Sequence, residues 1–275
     1  MRVHETSTTI NLPDRRVAFA GDWHGDAGFA KMAVRGLSRL APDVTTIFHA
    51  GDWSMDLGKS DQICRAFGIE RLLVCLGNHD DWRTITPLLD AHLGEALRVS
   101  ESTWIMPRPF RLTVGGRTLL VLSGATSVDR YWRRPGDWSP DETINDENVA
   151  AAIAGGLADL MLTHESPADT PVSAVRRILQ TNPLGFPRES LIESAASRVR
   201  VRQVWDAVNP RVLLHGHMHA PGAGTAEDGR RVISLGCNGQ QGNIAILSLE
   251  DLTVEVPSLR ELRGDDPTPS TSGRP

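Results

Sequence analysis

The sequence predicts an α/β fold in which strands buried on both faces alternate with helices. Six short apolar runs recur along the 275 residues, and each ends in a polar turn. The runs show no clean alternation of apolar and polar residues, which is typical of strands covered on both faces. Strand, helix, strand repetition favours an α/β sandwich. The runs lie at residues 17–22, 45–52, 71–80, 118–125, 159–166 and 211–219.

The segments between and after these runs predict the other elements. Helical character is found at residues 27–42, 84–94 and 189–208. Two segments resemble hairpins, one at 110–122 with Gly115-Gly116 as its turn and one at 231–256. We divide the chain into an N-terminal extension (1–14), one domain (15–260) and a tail (261–275) that is predicted to be disordered because its last dozen residues lack apolar content.

Composition excludes several classes of protein. No apolar run approaches the roughly 18 residues of a membrane span, and the first fifteen residues lack the apolar centre of a signal peptide, so we expect a cytoplasmic protein with no membrane partner. The three cysteines form no C-x-x-C pair, which argues against a disulfide framework and a thiolate zinc site. A formal charge of −5 gives no strong nucleic-acid signal and favours small phosphorylated ligands. The oligomeric state is not predicted.

Polar side chains collect at the ends of five of the runs, where the ligand sites of α/β folds lie. A single aspartate or asparagine after a strand most often caps the next helix or shapes a turn. Five strand ends that all carry potential metal ligands are much harder to explain in that way. The residues are Asp22, His24, Asp52, Asn78, His79, Asp80, His164, His215, His217 and His219.

The donor types at these strand ends restrict the metals. Carboxylate, imidazole and amide oxygen without thiolate suit Mn, Fe, Zn, Co or Ni. Seven ligands are too many for one tetrahedral ion, and they are about right for two ions that share a carboxylate and a water. His215 is left out of this set because it can equally face the sheet or support a ligand from behind.

In order and spacing, these blocks resemble the motifs of the calcineurin-like metallophosphoesterases, which are D-x-H, GD, GNH followed by D or E, a distant H, and GHxH. The match spans residues 22 to 219. The corresponding residues are Asp22-Trp23-His24, Gly51-Asp52, Gly77-Asn78-His79-Asp80, His164 and Gly216-His217-Met218-His219. The resemblance implies a four-layer αββα sandwich of two mixed β-sheets flanked by helices, with the metal site at the carboxyl ends of the strands.

The resemblance also implies a role for each residue. Two divalent ions are expected, with manganese as the metal that supports activity in vitro. His79 is expected to act on the substrate as a proton donor and not to bind metal. Asp22, His24, Asp52 and His219 would hold the first ion, and Asp52, Asn78, His164 and His217 would hold the second, with Asp52 bridging.

Two features near the site stay open. Relatives place a second aspartate three positions after the bridging one to support the catalytic histidine, but here that position is Met55 and Asp56 follows. Trp23 and Trp53, which follow the two metal-binding aspartates, either wall the metal site or pack beneath it. The sequence therefore does not identify the partner of His79.

Residues 124–142 form a long loop, resembling one found in a branch of the same family. Its arginines, Arg130, Arg133 and Arg134, are candidates for binding the phosphate oxygens, and Tyr131 or Trp132 could stack on a base or aryl group. A solvated run of charges is the competing interpretation.

The function that the resemblance implies is the hydrolysis of phosphate esters by in-line attack of a metal-bridging hydroxide. We favour a phosphodiesterase acting on a small phosphoester substrate such as a cyclic nucleotide. The alternatives are a phosphomonoesterase or a nuclease, and more remotely a metal-binding scaffold without catalysis.

Overall fold

The computed structural model describes residues 1–134 and 137–265. Within these ranges the strands are short, and most of the central ones are fully buried. They are β1 (Glu5–Ser7), β2 (Asn11–Leu12), β3 (Arg16–Ala20), β4 (Thr46–His49), β5 (Arg71–Val74), β6 (Ala96–Arg98), β7 (Thr103–Ile105), β8 (Phe110–Val114), β9 (Arg117–Leu122), β10 (Leu160–Thr163), β11 (Val212–His215), β12 (Gly222–Thr225), β13 (Arg231–Ser234), β14 (Ile244–Ser248) and β15 (Val254–Glu255).

The α-helices of the same ranges begin mostly at side chains that accept a hydrogen bond from the first turn, such as Asp26 and Asp56. They are α1 (Ala27–Leu40), α2 (Leu57–Ala66), α3 (Trp82–Ala91), α4 (Asp146–Ala154), α5 (Ser173–Thr181), α6 (Arg188–Val208) and α7 (Leu259–Arg263). Two short 3-10 helices lie in the long loop, at Arg130–Trp132 and Pro140–Glu142.

The first sheet has eight strands in the order β1-β6-β7-β5-β4-β3-β14-β15. Its central strands β3, β4, β5 and β7 are parallel, and β14 runs antiparallel beside β3. Ala20 pairs with His49, and His49 pairs with Val74. The carboxyl ends of β3, β4 and β5 are therefore level with one another.

The second sheet has seven strands in the order β12-β13-β11-β10-β9-β8-β2. Strands β9, β10, β11 and β13 are parallel, whereas β8 and β9 form an antiparallel hairpin. Leu122 pairs with Thr163, and Thr163 pairs with His215, so these carboxyl ends are level too. The hairpin predicted at 110–122 is confirmed.

The hydrophobic core is divided into layers because successive residues of each strand point to opposite faces. Phe19 of β3 and Leu162 of β10 belong to the cluster between the two sheets, while Ala18 of β3 packs with the helices outside. Helices α1, α2, α3 and α7 cover the first sheet, and α4, α5 and α6 cover the second. The predicted four-layer αββα sandwich of two mixed sheets is confirmed.

The C-terminal segment 231–256 was predicted as one hairpin, and this was wrong. Strand β13 lies in the second sheet and β14 in the first, so the glycine-rich connection crosses from one sheet to the other. The hairpin is shorter and joins β14 to β15. Both strands satisfy the same sequence pattern because each is buried, and the pattern does not say which sheet a strand joins.

Both ends of the chain carry regular secondary structure. The N-terminal extension supplies an edge strand to each sheet, β1 beside β6 and β2 beside β8. Residues 261–263, assigned to a disordered tail, are the end of α7, which Ser258 caps and Gly264 ends. Leu262 is buried against α1, where a methyl group on Gly36 would lie 2.4 Å from the Leu262 carbonyl oxygen. Residues 266–275 lie outside the described residues.

We expect Leu262→Ala to lower the free energy of unfolding by about 2 kcal/mol, since removal of a buried leucine side chain loses both transfer energy and packing. Urea denaturation measures the change. Leu157→Ala is the control, because Leu157 is 72 % exposed and should cost little. Equal unfolding midpoints for wild type and Leu262→Ala would contradict the packing of α7 on α1.

Candidate metal centre

Polar side chains from both sheets meet at one end of the sandwich, just past the level ends of the parallel strands. The first sheet contributes residues after β3, β4 and β5, and the second contributes residues after β10 and β11. In chain order, the predicted ligands at this edge are Asp22, His24, Asp52, Asn78, His164, His217 and His219.

Four of these residues form a compact cluster. Asp22, His24, Asp52 and His219 each offer a ligand atom, and these atoms all lie within 4.8 Å of one another. The Nε2 atom of His219 is 3.0 Å from Oδ2 of Asp22, and Nε2 of His24 is 3.4 Å from Oδ2 of Asp52. The cluster consists of the four residues expected to hold the first ion, and it is a candidate metal site.

The remaining three ligands lie on the other side of Asp52. The Nε2 atom of His164 is 3.0 Å from Oδ1 of Asn78 and 3.3 Å from Oδ1 of Asp52. The rings of His164 and His217 have centroids 5.0 Å apart. Asp52 therefore presents one carboxylate oxygen to His24 and the other to His164, which is the position that a bridging ligand requires.

Hydrogen bonds to the Nδ1 atoms orient two of the imidazoles. Nδ1 of His164 lies 2.6 Å from the Ala50 carbonyl oxygen, and Nδ1 of His24 lies 3.2 Å from Oδ1 of Asn238. A carbonyl oxygen at Nδ1 favours the tautomer that leaves the Nε2 lone pair available to a metal. Asn238 was missed in the sequence, although the run of glycine and asparagine after β13 was a signal that the backbone turns tightly there.

Two glycines are required by close approach and not by their backbone conformation. A methyl group on Gly77 would lie 2.2 Å from Oδ1 of Asp52 and 2.7 Å from Nε2 of His164. A methyl group on Gly216 would lie 2.1 Å from Oδ1 of Asp22. Any larger residue at either position would displace a candidate ligand.

The backbone of several ligands is strained. His24, Asp52, His217 and His219 all have positive φ, between 47° and 64°. Residues other than glycine rarely adopt this region, and such strain tends to accumulate at functional sites. The sandwich holds these four side chains in place at a conformational cost.

The electrostatics of the site call for positive charge. Asp22 and Asp52 are 0 % and 1 % exposed. Burial opposes protonation of both imidazoles, yet Asp52 raises the pKa of His164 to about 10, and Asp22 with Cys237 raises the pKa of His219 to about 10. Burial alone would raise the pKa of Asp52, but contact with His164 and His24 holds it well below its usual range. The buried carboxylates therefore favour positive charge at this end of the sandwich.

Asp80 supports this arrangement from behind. Its carboxylate accepts hydrogen bonds from the backbone N–H groups of Gly77 at 2.7 Å, Ser54 at 2.9 Å and Asp52 at 3.1 Å. Burial, and next the charge of Asp52, raises the pKa of Asp80 to about 6. The acidic residue after the GNH block therefore fastens two of the ligand loops to each other.

These residues fit a pair of divalent ions. The donors are carboxylate, amide oxygen and imidazole with no thiolate, and they are grouped on the two sides of one shared carboxylate. That set suits Mn, Fe, Zn, Co or Ni, and the identity of the metal is not fixed by it.

His79 lies at the rim of this centre, and its side chain is 38 % exposed. Its backbone N–H donates to Oδ1 of Asp52 at 2.7 Å, while its Nε2 atom lies 3.0 Å from Nη2 of Arg133 and 3.8 Å from Oδ2 of Asp129. Burial is the main cause that lowers its pKa. The carboxylate near His79 is therefore Asp129, whereas Asp56 caps α2.

The three arginines of the long loop differ in position. Arg133 reaches the site, where its guanidinium is held by Asp129 at 2.8 Å and by the Asn78 carbonyl oxygen at 3.2 Å. Arg130 points to α6 and donates to Glu193 at 2.6 Å. Arg134 is exposed. The structure thus brings Arg133 to the metal centre and does not bring Arg130 there.

The structural aromatic and histidine side chains beside the centre are Trp23, Trp53, His49 and His215. Trp23 and Trp53 are 2 % and 4 % exposed and pack in the cluster beneath the helices of the first sheet. Trp23 also packs edge-on against His49, at 4.6 Å between ring centroids, and burial lowers the pKa of His49 to about 3. His215 is fully buried, with Nδ1 2.9 Å from the Gly216 carbonyl oxygen.

The profile of the calcineurin-like phosphoesterases matches residues 15–221, which is most of the chain. The chain belongs to the calcineurin-like phosphoesterase family. Membership agrees with the two-sheet sandwich and with the candidate ligands at its edge. The family consists of metal-dependent phosphoester hydrolases. No curated protein matches the sequence at a significant level.

Solved structures agree on the fold of this calcineurin-like phosphoesterase. A dimetal phosphatase from Danio rerio is 14 % identical with a TM-score of 0.54, covering 90 % of this chain and 97 % of its own. GAP50, the anchor in the inner membrane complex of Plasmodium, is 14 % identical with a TM-score of 0.51, covering 89 % of this chain and 84 % of its own. At this identity the likeness establishes the fold alone. Among the described residues, no helix is long and apolar enough to cross a membrane.

Glu142 of the long loop gives the site region a dependence on pH. It is 1 % exposed and accepts from the Ser127 N–H at 2.8 Å, and burial raises its pKa to about 7. Because the pKa is raised in the folded state, protonated Glu142 contributes its full stabilisation of the fold below the unfolded pKa of about 4.3. This contribution is lost as the pH rises through 7.

We therefore expect Glu142→Gln to raise the free energy of unfolding at pH 8 by on the order of 1–3 kcal/mol and to change it little at pH 4.5. Urea denaturation at both pH values, with equal metal concentrations, measures the difference. Glu147→Gln, at an exposed position of α4, is the matched control. A change for Glu142→Gln that is the same at both pH values would contradict the raised pKa.

Proposed function

We propose that this calcineurin-like phosphoesterase is a dinuclear metal-dependent phosphodiesterase that acts on a small phosphodiester. The observation that supports this most strongly is the grouping of six oxygen and nitrogen ligands on the two sides of a seventh, Asp52, with His79 beside them. Asp22, His24, Asp52 and His219 would hold the first ion. Asp52, Asn78, His164 and His217 would hold the second.

Two divalent cations held there would neutralise the phosphoryl oxygens and make a coordinated water more acidic. The protein's part is to fix the ligands, and the orienting bonds to Asn238 and Ala50 and the Asp80 carboxylate serve that purpose. Manganese is the ion we expect to support activity in vitro.

His79 is the group we assign to the leaving oxygen. Its backbone is tied to Asp52, while its side chain remains partly exposed at the rim of the second ligand group. A histidine in that position can donate a proton to the departing alcohol, a role worth about 10²- to 10⁴-fold in rate. Asp129 and Arg133 limit the movement of its ring.

Two observations favour a diester over a monoester. Arg133 lies at the site but its charge is paired with Asp129, and that of Arg130 is paired with Glu193, so both charges are already balanced without the second charge of a monoester. A cavity beside the ligands, described below, offers room for an ester group. A cyclic nucleotide is the small diester that the sequence analysis favours, and phosphomonoester hydrolysis and nuclease activity are the alternatives.

A scaffold without catalysis is the contrasting function. GAP50 has the same fold and is described as an anchor, so the fold by itself does not decide the question. A scaffold has no need of a complete ligand set, yet this chain has all seven residues and His79.

The decisive experiment assays the protein with added Mn²⁺ against bis-p-nitrophenyl phosphate, p-nitrophenyl phosphate, 2′,3′- and 3′,5′-cyclic nucleotides and single-stranded DNA. We expect hydrolysis of the diesters at least tenfold above that of the monoester, and complete loss when EDTA removes the metal. Faster monoester cleavage would overturn the diesterase assignment. No hydrolysis by metal-replete protein would favour the scaffold.

We expect His79→Ala to lower kcat by about 10²- to 10⁴-fold while bound metal, measured by elemental analysis, stays unchanged. Because the proton donor must be protonated, the limb of the pH–rate profile on which kcat falls with rising pH should disappear. His92→Ala is the control, since the two histidine side chains are similarly exposed, at 38 % and 36 %. Persistence of that limb in His79→Ala would remove the proton-donor role.

A further inference from the structure

A cavity of about 280 Å³ opens beside the candidate metal centre. At its inner end it is lined by candidate ligands of both ions and by His79. The rest of its wall is mostly apolar and comes mainly from α5, α6 and the segment that joins them, with Met218 after β11 and Val128 of the long loop. The apolar residues that define this wall are Ile178, Leu179, Leu184, Phe186, Leu191 and Met218.

The wall is held in shape by its own hydrogen bonds. Asn182 ends α5 in the left-handed conformation, and its side chain donates to the Phe186 carbonyl oxygen at 3.1 Å and accepts from the Phe186 N–H at 3.0 Å. The Phe186 ring stacks on Trp132 of the long loop, with centroids 4.9 Å apart. The cavity is therefore formed before any ligand enters, as small-molecule sites usually are.

Large apolar side chains remain exposed around its opening. Leu184 of the wall is 69 % exposed, and Trp132, which stacks on Phe186 of the wall, is 56 % exposed. Isolated exposed apolar residues need no explanation, but a group of them at the mouth of a cavity indicates a binding surface.

Apart from the guanidinium of Arg198, the polar side chains of the wall outside the metal centre are already engaged. Both functional atoms of the Asn182 amide bond Phe186, and Oγ of Ser194 accepts from Arg198 at 2.6 Å. Asp129 is bound by Arg133. A nucleobase would bring hydrogen-bonding edges that these residues are poorly placed to satisfy, and an unpaired buried polar group is costly. An apolar occupant has no such requirement.

We propose that this cavity binds an apolar ester group, aryl or alkyl, of a phosphodiester whose phosphoryl group lies at the metal centre. The volume is just under the roughly 300–1,000 Å³ of whole ligand sites, so it suits one group of a substrate and not a complete cofactor. Asp52, Asn78 and His217 also line the cavity, so a group bound there would be continuous with a phosphoryl group at the metal centre. This inference rests on the proposed phosphoesterase function and specifies its substrate.

The test is calorimetric titration of the Mn²⁺-loaded protein with methyl-, butyl- and hexylphosphonate. Each buried methylene is worth about fourfold in affinity, so hexylphosphonate should bind at least tenfold more tightly than methylphosphonate. Leu184→Ser and Leu191→Ser should each reduce this ratio at least threefold without changing the affinity for methylphosphonate. Leu157→Ser is the matched control, because Leu157 is 72 % exposed and lies outside the cavity.

Each other outcome has a distinct meaning. Equal affinities for methyl- and hexylphosphonate, together with diester hydrolysis, would contradict the binding of an apolar ester group in this cavity and leave the proposed function intact. Adenosine 5′-monophosphate is compared in the same titration. If it binds as tightly as hexylphosphonate, and if the same two substitutions weaken its binding, the cavity takes a nucleobase and not an apolar group. Absence of both phosphonate binding and hydrolysis would overturn the proposed function and this inference together.

Discussion

The negative charge of two buried carboxylates is the constraint on which the site depends. Asp22 and Asp52 cannot remain ionised at almost zero exposure without positive charge beside them. The pKa values of His164 and His219 are raised beside these carboxylates, and divalent ions held there would supply positive charge more strongly. The orienting bonds, the left-handed backbone and the glycines without room for a side chain all serve to bring donors to these two charges.

Much of the fold and of the ligand set could be predicted from the sequence because both depend on local patterns. A fully buried strand leaves a continuous apolar run, and a ligand at its end leaves a polar residue at a fixed offset. Asp22, Asp52 and Asn78 each follow such a run, and parallel pairing of β3, β4 and β5 brings them to one edge. Short helices such as α2 and α4 gave no comparable pattern and were not predicted.

What could not be predicted depends on contacts between distant parts of the chain. Asn238 bonds His24 across 214 positions, and Asp129 approaches His79 from a loop that has no periodicity. The pairing of β14 with β3 in place of β13 is a choice between two buried partners that look alike in sequence. In each case the local signal was present, and the identity of the partner was a property of the tertiary structure.

Each of the two ligand groups contains residues from both sheets, so the packing between the sheets also affects the geometry of the metal centre. Asp52 extends from the first sheet, while His164 and His219 extend from the second. The distance between these side chains therefore depends on the residues packed between the two sheets. Phe19, Phe48 and their partners act as a spacer for the metal centre. A core residue far from any ligand thereby becomes part of the geometry on which the spacing of two ions depends.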